Sequence, residues 1–479
     1  MILIDGASIP HHDGFRVGSV LVRDDRIAAV AWAEDDRRQL AVHAAGRVDA
    51  ADCWLLPGLI DSHAHAYAAI LRGTENSLPL ELWALFTVAY GKTLDAAALR
   101  AAILLGAAER IRGGITGFVD HTPQMHLAEI ALEAHEASGL RVGYAPFLHD
   151  LGDYDLLALN LPNEVKSLAG SIPVLDPNAY AARFAAIIDT ARAGSGRVSV
   201  LLGPNAPQRC SQAAWALWRT LRDRHGVGVH THLLETHAQA KFGEQRWPGG
   251  TVAEMARQDL LDGALSVAHG VWPSGNERAL LARHGVTVVH NPASNLMLGS
   301  GVLPFADYRR LGVRLALGTD SANTGGRHDM FAAMRLAMMI HRKPGGDPAT
   351  WPDAETLLTM ATLHGAHVLG MGDRLGRIEA DCLADLVLVR RNAASLMLLS
   401  ETVEGMLLHA GPEHVSAVMV NGAWVLRDGR ILAFDEAAAL SAAADAHAEI
   451  RERVGTLPEQ IRGALPALSR SLQRWQAPQ

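Results

Sequence analysis

Short apolar runs alternate with helix-like segments through most of this 479-residue chain, and this alternation limits the possible folds more than any other feature. Several runs consist of consecutive Val, Ile, Leu and Ala residues, the pattern of parallel strands that are covered on both faces. Segments with helical periodicity, such as 99–112 and 214–225, separate them. The candidate strands lie at 58–63, 115–120, 141–146, 197–202, 227–232, 264–269, 286–290 and 314–318.

Eight repeats of strand and helix predict an α/β fold of the (β/α)8, or TIM barrel, type. The residues that act on a substrate lie at the C-terminal ends of the strands in such a barrel. The chain is too long for one ordinary core, but a barrel with an attached small domain accounts for its length. We therefore predict a barrel domain over residues 57–374.

Both ends of the chain carry a different pattern, of short alternating runs separated by turns, which indicates antiparallel β structure. Asn421 and Gly422 form a strong signal for a two-residue hairpin turn within the later runs. The two ends are therefore expected to complete one small β-sandwich domain, built from residues 1–56 and 375–433.

An Ala-rich tail with a helical pattern follows over residues 434–479, and Pro458 and Pro466 are expected to interrupt it. The tail contains no cluster of residues that carry chemistry. It is expected either to cover the β domain or to form a subunit contact, as in a homodimer.

Composition argues against several classes of protein. A hydrophobic content of 49% with 20% charged residues is normal for globular domains, and the net charge of −8 argues against nucleic acid or an anionic membrane as partner. The three cysteines are far apart and lack metal-ligand spacing, as in core residues of a reducing compartment. Since neither a signal peptide nor a membrane-spanning apolar run is recognisable, the cytoplasm is the expected compartment.

Histidines and carboxylates cluster at the C-terminal ends of four candidate strands. His63 and His65 are two residues apart, so on an extended strand they point to the same face and can hold one metal ion. Taken singly, such a histidine is more often a hydrogen-bonded core residue, and an Asp after Gly-Thr is often a helix cap. The other members of the cluster are His230, His232, Glu235, His269 and Asp320.

Together these residues predict a metal centre at one mouth of the barrel. Three imidazoles and one carboxylate fill such a site while one position stays open, so His230 is expected to be structural. If the chain turns helical after His232, Glu235 shares a face with it and lies beside the metal without binding it. The expected ligands are His63, His65, His232 and Asp320.

Several stretches carry a family resemblance that covers the chain from the first strand to about residue 421. They are PGLIDSHAH (57–65), HLLET (232–236), AHG (268–270), HNPASNL (290–296), LGSG (298–301), GTDSAN (318–323), ATLHGA (361–366) and ADLVL (384–388). The chain resembles the amidohydrolase superfamily, and within it the branch of metal-dependent deaminases and triazine hydrolases. The resemblance implies that the expected ligands bind one divalent metal, that Glu235 shuttles a proton and that His269 orients the attacking water.

The implied chemistry requires these residue types. A divalent ion with an open position can lower the pKa of bound water to about 7, so hydroxide is present at neutral pH. Asp320 can accept the proton of that water, Glu235 can protonate a ring nitrogen, and His269 can align the attacking oxygen. The expected cofactor is one divalent ion per chain, with zinc as the first candidate and iron(II) as the other.

Strand four separates two branches of the superfamily that the chain resembles. Members that open cyclic amides typically use two metals bridged by a modified lysine at the end of that strand. The stretch 197–207 contains no lysine here. This absence favours a single-metal site of the deaminase type.

The substrate is expected to be a small nitrogen heterocycle, held by aromatic and polar side chains around the mouth. Core packing explains Trp83 equally well, and the acidic residue that adenosine-derivative deaminases use to hold a ribose has no clear counterpart after it. His121 and His126 are expected either to line the mouth or to lie in solvent. The candidate substrate-binding residues are Trp83, His149, Trp272 and Asn295.

Three functions fit the sequence. The first is hydrolytic deamination of a purine, pterin, pyrimidine or adenosine derivative. The second is a triazine-type hydrolysis at the same site, with chloride or an alkylamine as leaving group. The third is a catalytically inactive binding barrel. It is disfavoured because burial of polar groups costs free energy, and a site without catalytic function has no physical reason to keep such a cluster.

Overall fold

The computed structural model of the protein describes residues 1–12, 14–159, 161, 165, 166, 172, 174–399 and 401–475. Its strands are β1 (Ile2–His11), β2 (Gly14–Arg23), β3 (Arg26–Ala31), β4 (Gly46–Asp49), β5 (Cys53–Pro57), β6 (Leu59–Ala64), β7 (Ile115–Thr122), β8 (Arg141–Leu148), β9 (Val198–Val200), β10 (Gly203–Pro204), β11 (Val229–Leu233), β12 (Leu265–His269), β13 (Thr287–His290), β14 (Arg314–Leu317), β15 (Leu386–Arg390), β16 (Val415–Val420), β17 (Ala423–Arg427) and β18 (Arg430–Ile431).

The helices separate the central strands and also form the end of the chain. They are α1 (Glu34–Val42), α2 (Leu80–Gly91), α3 (Ala96–Arg112), α4 (Ala128–Ser138), α5 (Asp153–Leu156), α6 (Pro177–Arg192), α7 (Gln212–His225), α8 (His237–Arg246), α9 (Thr251–Arg257), α10 (Gly275–Arg283), α11 (Pro292–Met297), α12 (Phe305–Arg310), α13 (Met330–Ile340), α14 (Ala354–Met360), α15 (Leu363–Val368), α16 (Val403–His409), α17 (Glu436–Val454) and α18 (Leu457–Gln473).

Parallel strands form the centre of the fold, in two sheets. One has the order β10-β8-β7-β6 with β9 beside β8, and the other has the order β11-β12-β13-β14. All pairings in both sheets are parallel. Every predicted central strand is present within about two residues, but the fourth is split into β9 and β10. Strands that run parallel and alternate with helices are those expected of the TIM-barrel type of α/β fold.

The two parallel sheets contact each other along both outer edges. Isolated parallel bridges join Ala64 to Asp320 and Leu202 to Val229. An apolar cluster lies between the sheets and draws buried side chains from both of them. Its strand members include Ile60, Val119, Ala145, Val289 and Ala316. The strand ends that carry the histidines therefore meet above a shared apolar floor.

A nine-stranded sheet contains both ends of the chain, in the order β18-β17-β16-β15-β5-β1-β2-β3, with β4 paired to β1. The early and late parts meet where β5 pairs antiparallel with β15. The predicted hairpin is confirmed, because Asn421 and Gly422 connect β16 to β17 with φ angles of 52° and 76°. The sequence therefore identified correctly that the two ends form one β unit.

A buried ion pair attaches this β unit to the parallel strands. Arg141, at the start of β8, donates from Nε at 2.6 Å and from Nη2 at 3.0 Å to the carboxylate of Asp385. Its Nη2 also donates to Oδ1 of Asn421 at 2.7 Å. Both charged side chains are almost fully buried. The contact fixes the hairpin turn against the base of the central strands.

The second helix of the tail, α18, packs against α2 and not against the β unit, which was one of the two positions predicted for the tail. The side chains of Ile461 and Leu468 join those of Leu82 and Phe86 in one apolar cluster. Pro458 lies in the first turn of α18, where proline is tolerated, whereas Pro466 lies inside the helix and does not end it. The predicted break at Pro466 is therefore wrong. None of the helices in the described ranges is long and apolar enough to cross a membrane.

Candidate active site

The ends of three strands bring the four predicted metal ligands together. His63 Nε2 lies 3.5 Å from Asp320 Oδ1, and His65 Nε2 lies 3.4 Å from the same oxygen. His232 Nε2 lies 3.3 Å from His65 Nε2. Two donors that are each 2.0–2.1 Å from a tetrahedral zinc ion lie about 3.3–3.4 Å apart, so these spacings suit such an ion.

Backbone carbonyls orient two of the ligand imidazoles. His65 Nδ1 donates to the carbonyl oxygen of His121, and His232 Nδ1 donates to that of Asn205 at 2.6 Å. A ring nitrogen that donates in this way leaves the other nitrogen as a lone-pair donor. Both rings therefore direct an unprotonated Nε2 into the centre.

His230 orients the third imidazole, in agreement with the structural role expected for it. Its Nε2 accepts from His63 Nδ1 at 2.8 Å, and its own Nδ1 donates to Ser266 Oγ at 2.8 Å. Ser266 Oγ in turn donates to the carbonyl of Val229 at 3.1 Å. This relay holds His63 in the tautomer whose Nε2 faces the centre.

Burial lowers the pKa of His63 to about 4 and that of His232 well below its usual value, so both of these imidazoles are neutral. Burial alone would raise the pKa of Asp320, but the imidazoles beside it, those of His63, His269 and His65, together hold it well below its usual range. His63 Nε2 is buried and has no hydrogen-bond partner in the described part of the chain. Neutral imidazoles, an ionised carboxylate and an unpaired buried nitrogen fit a divalent metal.

Glu235 and His269 lie next to the ligand cluster, as expected. His269 Nε2 lies 3.4 Å from Glu235 Oε2 and 3.9 Å from Asp320 Oδ2. Its Nδ1 donates to Asn295 Oδ1 at 2.9 Å, which leaves Nε2 as an acceptor. Burial raises the pKa of Glu235 to about 7, and its Oε1 accepts from Ser300 Oγ at 3.1 Å. A buried carboxyl group with a raised pKa and a further imidazole therefore flank the cluster of predicted ligands.

Backbone strain accompanies the residues at this mouth. Leu234, His269 and Asp320 all have positive φ angles, of 44°, 73° and 62°. Non-glycine residues adopt such angles only when the surrounding structure imposes them, and they occur often at functional sites. Gly318 permits the close approach of the chain after β14 to β6, because a Cβ there would lie 3.0 Å from both the Cβ and the amide nitrogen of His63. This approach lets the amide of Asp320 donate to the carbonyl of His63 at 2.8 Å.

A buried ion pair below the site supports the loop that carries Asp320, and the sequence analysis did not identify it. Asp61 accepts from the amide and the hydroxyl of Thr319, at 2.8 and 2.7 Å. Arg110 Nε lies 3.4 Å from Asp61 Oδ2, and neither side chain is exposed. A signal existed, because Asp61 shares a strand face with His63 and Arg110 interrupts an otherwise apolar helix.

His121 belongs to the site rather than to the solvent. It is fully buried, its ring centroid lies 4.7 Å from that of His232, and its Nε2 donates to the carbonyl of Gly203 at 3.3 Å. His126 is exposed. His121 lies within β7, near its C-terminal end, whereas His126 lies four residues beyond that end.

The four candidate substrate-binding residues lie in different surroundings. Trp272 is half-buried and donates from Nε1 to the carbonyl of Ser300 at 2.6 Å. Asn295 holds His269, while its Nδ2 is buried without a hydrogen-bond partner in the described ranges. His149 contacts Phe147, at 5.9 Å between ring centroids, and burial lowers its pKa to about 4. Trp83 packs in an apolar cluster with Leu80 and Leu298.

Strand four supplies carbonyl groups to the site instead of a ligand side chain. The carbonyls of Gly203 and Asn205 accept from His121 and His232. In the described residues, groups of side chains suited to hold a metal are limited to two that share His63. One contains His65 and Asp320, and the other contains His121 and His232. They form one continuous cluster.

The chain is similar to known proteins along most of its length. Residues 54–425 match the model of the amidohydrolase family. A curated 5-methylthioadenosine/S-adenosylhomocysteine deaminase from Thermococcus onnurineus is 31% identical over 440 residues, which cover 89% of this chain and 94% of that protein. A relative of this similarity and coverage shares the fold along nearly the whole chain.

Solved structures show the same architecture. An adenosine deaminase from Xanthomonas campestris, described with bound zinc, is 29% identical and gives a TM-score of 0.82, covering 94% of this chain and 98% of that one. The atrazine chlorohydrolase of Arthrobacter aurescens TC1, complexed with zinc, is 22% identical with a TM-score of 0.83 over 93% of this chain and 100% of that one, a likeness of fold alone. The chain therefore belongs to the amidohydrolase family and is a hydrolase of carbon–nitrogen bonds other than peptide bonds.

Proposed function

We propose that this protein is a metal-dependent aminohydrolase that replaces an amino group on a nitrogen heterocycle with oxygen and releases ammonia. One observation carries the proposal: the four converging ligands lie beside a buried Glu235 whose pKa is raised to about 7. A general acid or base is most effective when its pKa is near the working pH. The relative from Thermococcus onnurineus, a deaminase by name, supports the same reaction.

The residues that would hold the metal are the predicted ones, with one divalent ion per chain. Zinc is the first candidate because tetrahedral nitrogen and oxygen sites with an open position suit it, and iron(II) accepts the same donors. A divalent ion supplies Lewis acidity, which lowers the pKa of water. The buried, unpaired His63 Nε2 supports this assignment. The proposed ligands are His63, His65, His232 and Asp320.

The chain's own residues divide the proton transfers. Asp320, which stays ionised, would take a proton from the attacking water. Glu235 would donate a proton to the ring nitrogen next to the amino-bearing carbon, so that the ring accepts the displaced electrons. His269 would hydrogen-bond the attacking oxygen and align it. Asp320 would then pass its proton to the leaving amino group and Glu235 would recover a proton from the carbon-bound hydroxyl, so that water and the amino compound give ammonia and a ring carbonyl.

The proposed substrate is a purine, with an adenosine derivative as the first candidate. Pterin and pyrimidine compounds carry the same reacting group, an amino group on a ring carbon beside a ring nitrogen. The names of the relatives support an adenosine derivative. Trp272 and His149 are the proposed aromatic contacts, because both are partly accessible at the strand ends. Asn295 can donate from its unpaired Nδ2. Trp83 is proposed with them, although its burial with Leu80 and Leu298 also fits core packing.

Ammonia release from metal-analysed protein tests the proposal. The panel contains adenine, guanine, cytosine, pterin and triazine compounds, with substituted nucleosides, and the protein treated with a chelator is the control. We expect release from one compound class at about one metal per chain. Chloride or alkylamine release without ammonia would favour the triazine-type hydrolysis. No reaction and no bound metal would favour the inactive binding barrel.

We also propose the finer architecture on structural grounds. The bridges at Ala64 and Leu202 support closure of the parallel strands into one (β/α)8 barrel over residues 57–374. The β unit of residues 1–56 and 375–433 is proposed to be a sandwich, because side chains as distant in the sheet as Ile27 and Met419 share one cluster. A separate tail over 434–479, the cytoplasmic location and a homodimer stay predictions from the sequence.

A further inference from the structure

Trp475, the last described residue of the C-terminal tail, lies next to the segment that carries Glu235. Its side chain is 9% exposed, and its carbonyl accepts from Nδ1 of His237 at 2.9 Å. Its indole Nε1 donates to the carbonyl of Leu157 at 2.9 Å, which anchors this part of the tail. His237 begins α8 and is two residues beyond Glu235.

A continuous set of contacts leads from His237 to the carboxylate. The ring of His237 meets the ring of Trp272 edge to face, at 5.0 Å between centroids and 80° between planes. Trp272 Nε1 donates to the carbonyl of Ser300 at 2.6 Å. Ser300 Oγ donates to Glu235 Oε1 at 3.1 Å. The tail therefore reaches the catalytic carboxylate through three side chains.

A second route reaches the same segment through α2. The tail helix α18 packs against α2, and Glu81 lies in the first turn of α2. Glu81 Oε1 accepts from the hydroxyl of Thr236 at 2.6 Å, and Thr236 is the residue that follows Glu235. The two residues that follow Glu235 are therefore both connected to the tail. Thr236 is bonded to α2, against which α18 packs, and His237 is bonded to Trp475.

We propose that His237 is a positioning residue through which the C-terminal tail fixes the carboxylate of Glu235 for proton transfer. The inference rests on the proposed catalytic role of Glu235. A glutamate side chain has several rotatable bonds, and a small displacement of a catalytic group lowers the reaction rate strongly. The fixed positions of Trp272 and Ser300 confine this carboxylate, and the bond between His237 and the tail confines Trp272.

A double-mutant cycle tests the coupling in the full-length, metal-loaded protein. His237→Phe keeps an aromatic ring beside Trp272 but loses the donor to the tail. Trp475→Ala removes the indole that anchors the end of the tail. The matched control is Lys241→Met, because Lys241 lies on the same helix and donates to the neighbouring carbonyl of Arg474 at 2.7 Å without contacting the route to Glu235.

Each single variant is expected to lower kcat about tenfold while KM and metal content change less than about twofold. The kcat of the double variant should be no lower than that of the more impaired single variant, because both changes break the same route. Lys241→Met should keep the wild-type kcat. Additive losses, or an unchanged kcat in folded and metal-loaded single variants, would overturn the inference.

Hydrogen exchange separates this inference from the proposed function, because it needs no turnover. The amides of residues 298–301 should exchange faster in His237→Phe and in Trp475→Ala, and at the wild-type rate in Lys241→Met. Faster exchange supports the coupling even if the wild-type protein releases no ammonia, in which case only the proposed function fails. Unchanged exchange in both variants overturns the coupling.

Discussion

At the scale of the residue, the site depends on groups whose protonation is set by burial and by hydrogen bonds. His63 has a pKa of about 4 because it is buried, so its imidazole is neutral at physiological pH. Burial also raises the pKa of Glu235 to about 7, so part of this carboxyl group is protonated near neutral pH. Burial thus favours the uncharged form of both groups, as the proposed ligand and the proposed proton donor require.

Glu235→Gln should retain the metal and lose turnover. The amide keeps the shape and the hydrogen bond to Ser300 but cannot exchange a proton, so we expect kcat to fall by about 10²–10⁴. Metal analysis and steady-state kinetics on the same sample check both parts. A Glu235→Gln enzyme with normal turnover would remove the proton-transfer role.

The pH profile should show a basic limb. Glu235 must be protonated to donate, and its raised pKa means that the protonated fraction falls as pH rises through about 7, so kcat/KM should decline above that value. Ser300→Ala should move the limb to higher pH, because the hydroxyl of Ser300 stabilises the ionised form. A flat profile for the wild type between about pH 6 and 9 would contradict this assignment.

His230→Ala should weaken metal binding although His230 is not a ligand. Loss of the group that orients a metal-binding histidine typically lowers metal affinity 10–100-fold, so we expect about that loss from competition with a chelator. His230→Gln is the matched control, since its amide oxygen can still accept from His63 Nδ1. Equal affinities for His230→Ala and the wild type would show that the relay does not fix His63.

At the scale of the element, buried polar contacts join units that are distant in the sequence. The Arg141–Asp385 pair attaches the start of β8 to the β15–β16 region, and neither residue is more than a few per cent exposed. Breaking one partner of such a pair leaves an uncompensated charge in a medium that cannot solvate it. These contacts decide how the two ends of the chain lie against the central strands.

Arg141→Met should therefore lower the free energy of unfolding by about 3–5 kcal/mol. Arg100→Met is the matched control, because the pair between Arg100 and Glu133 is exposed and such pairs contribute about 0–1 kcal/mol. Chemical denaturation of both variants checks the difference. A loss of less than about 1 kcal/mol for Arg141→Met would mean that the interface relaxes around Asp385.

At the scale of the whole molecule, a metal ion bound at this site would be a tertiary crosslink. Its proposed ligands lie in β6 and directly after it, in β11 and after β14, so they belong to both parallel sheets. An ion that binds the folded chain and not the unfolded one stabilises the folded state. Occupancy and global stability should thus be linked.

Removal of the metal by a chelator should lower the Tm of the wild-type protein, and added zinc should restore it. Binding at 1,000 times Kd contributes about 4.1 kcal/mol, which in a chain of this size shifts the Tm by several degrees. His63→Ala should show a low Tm that responds weakly to chelator or zinc, and it should contain less metal. Differential scanning calorimetry at fixed protein concentration measures both. An unchanged Tm in the metal-free wild type would argue against a resident ion.

The sequence by itself determined the central strands and predicted the set of ligands. The strands follow from runs of apolar residues, and His63 and His65 share a face because side chains alternate along a strand. Since the ends of parallel strands meet at one mouth, the order of the strands alone brought Asp320 and His232 to the same place. Deaminase function followed from the resemblance and agrees with the relatives.

Only the tertiary structure decided how that site is held. The partners that fix the tautomers of His65 and His232 are backbone carbonyls of His121 and Asn205, and a carbonyl has no sequence signature. The position of the tail was also undecided, because an amphipathic helix shows that it has a partner but not which one. Contacts between residues far apart in the chain depend on packing in three dimensions, and local periodicity carries no information about them.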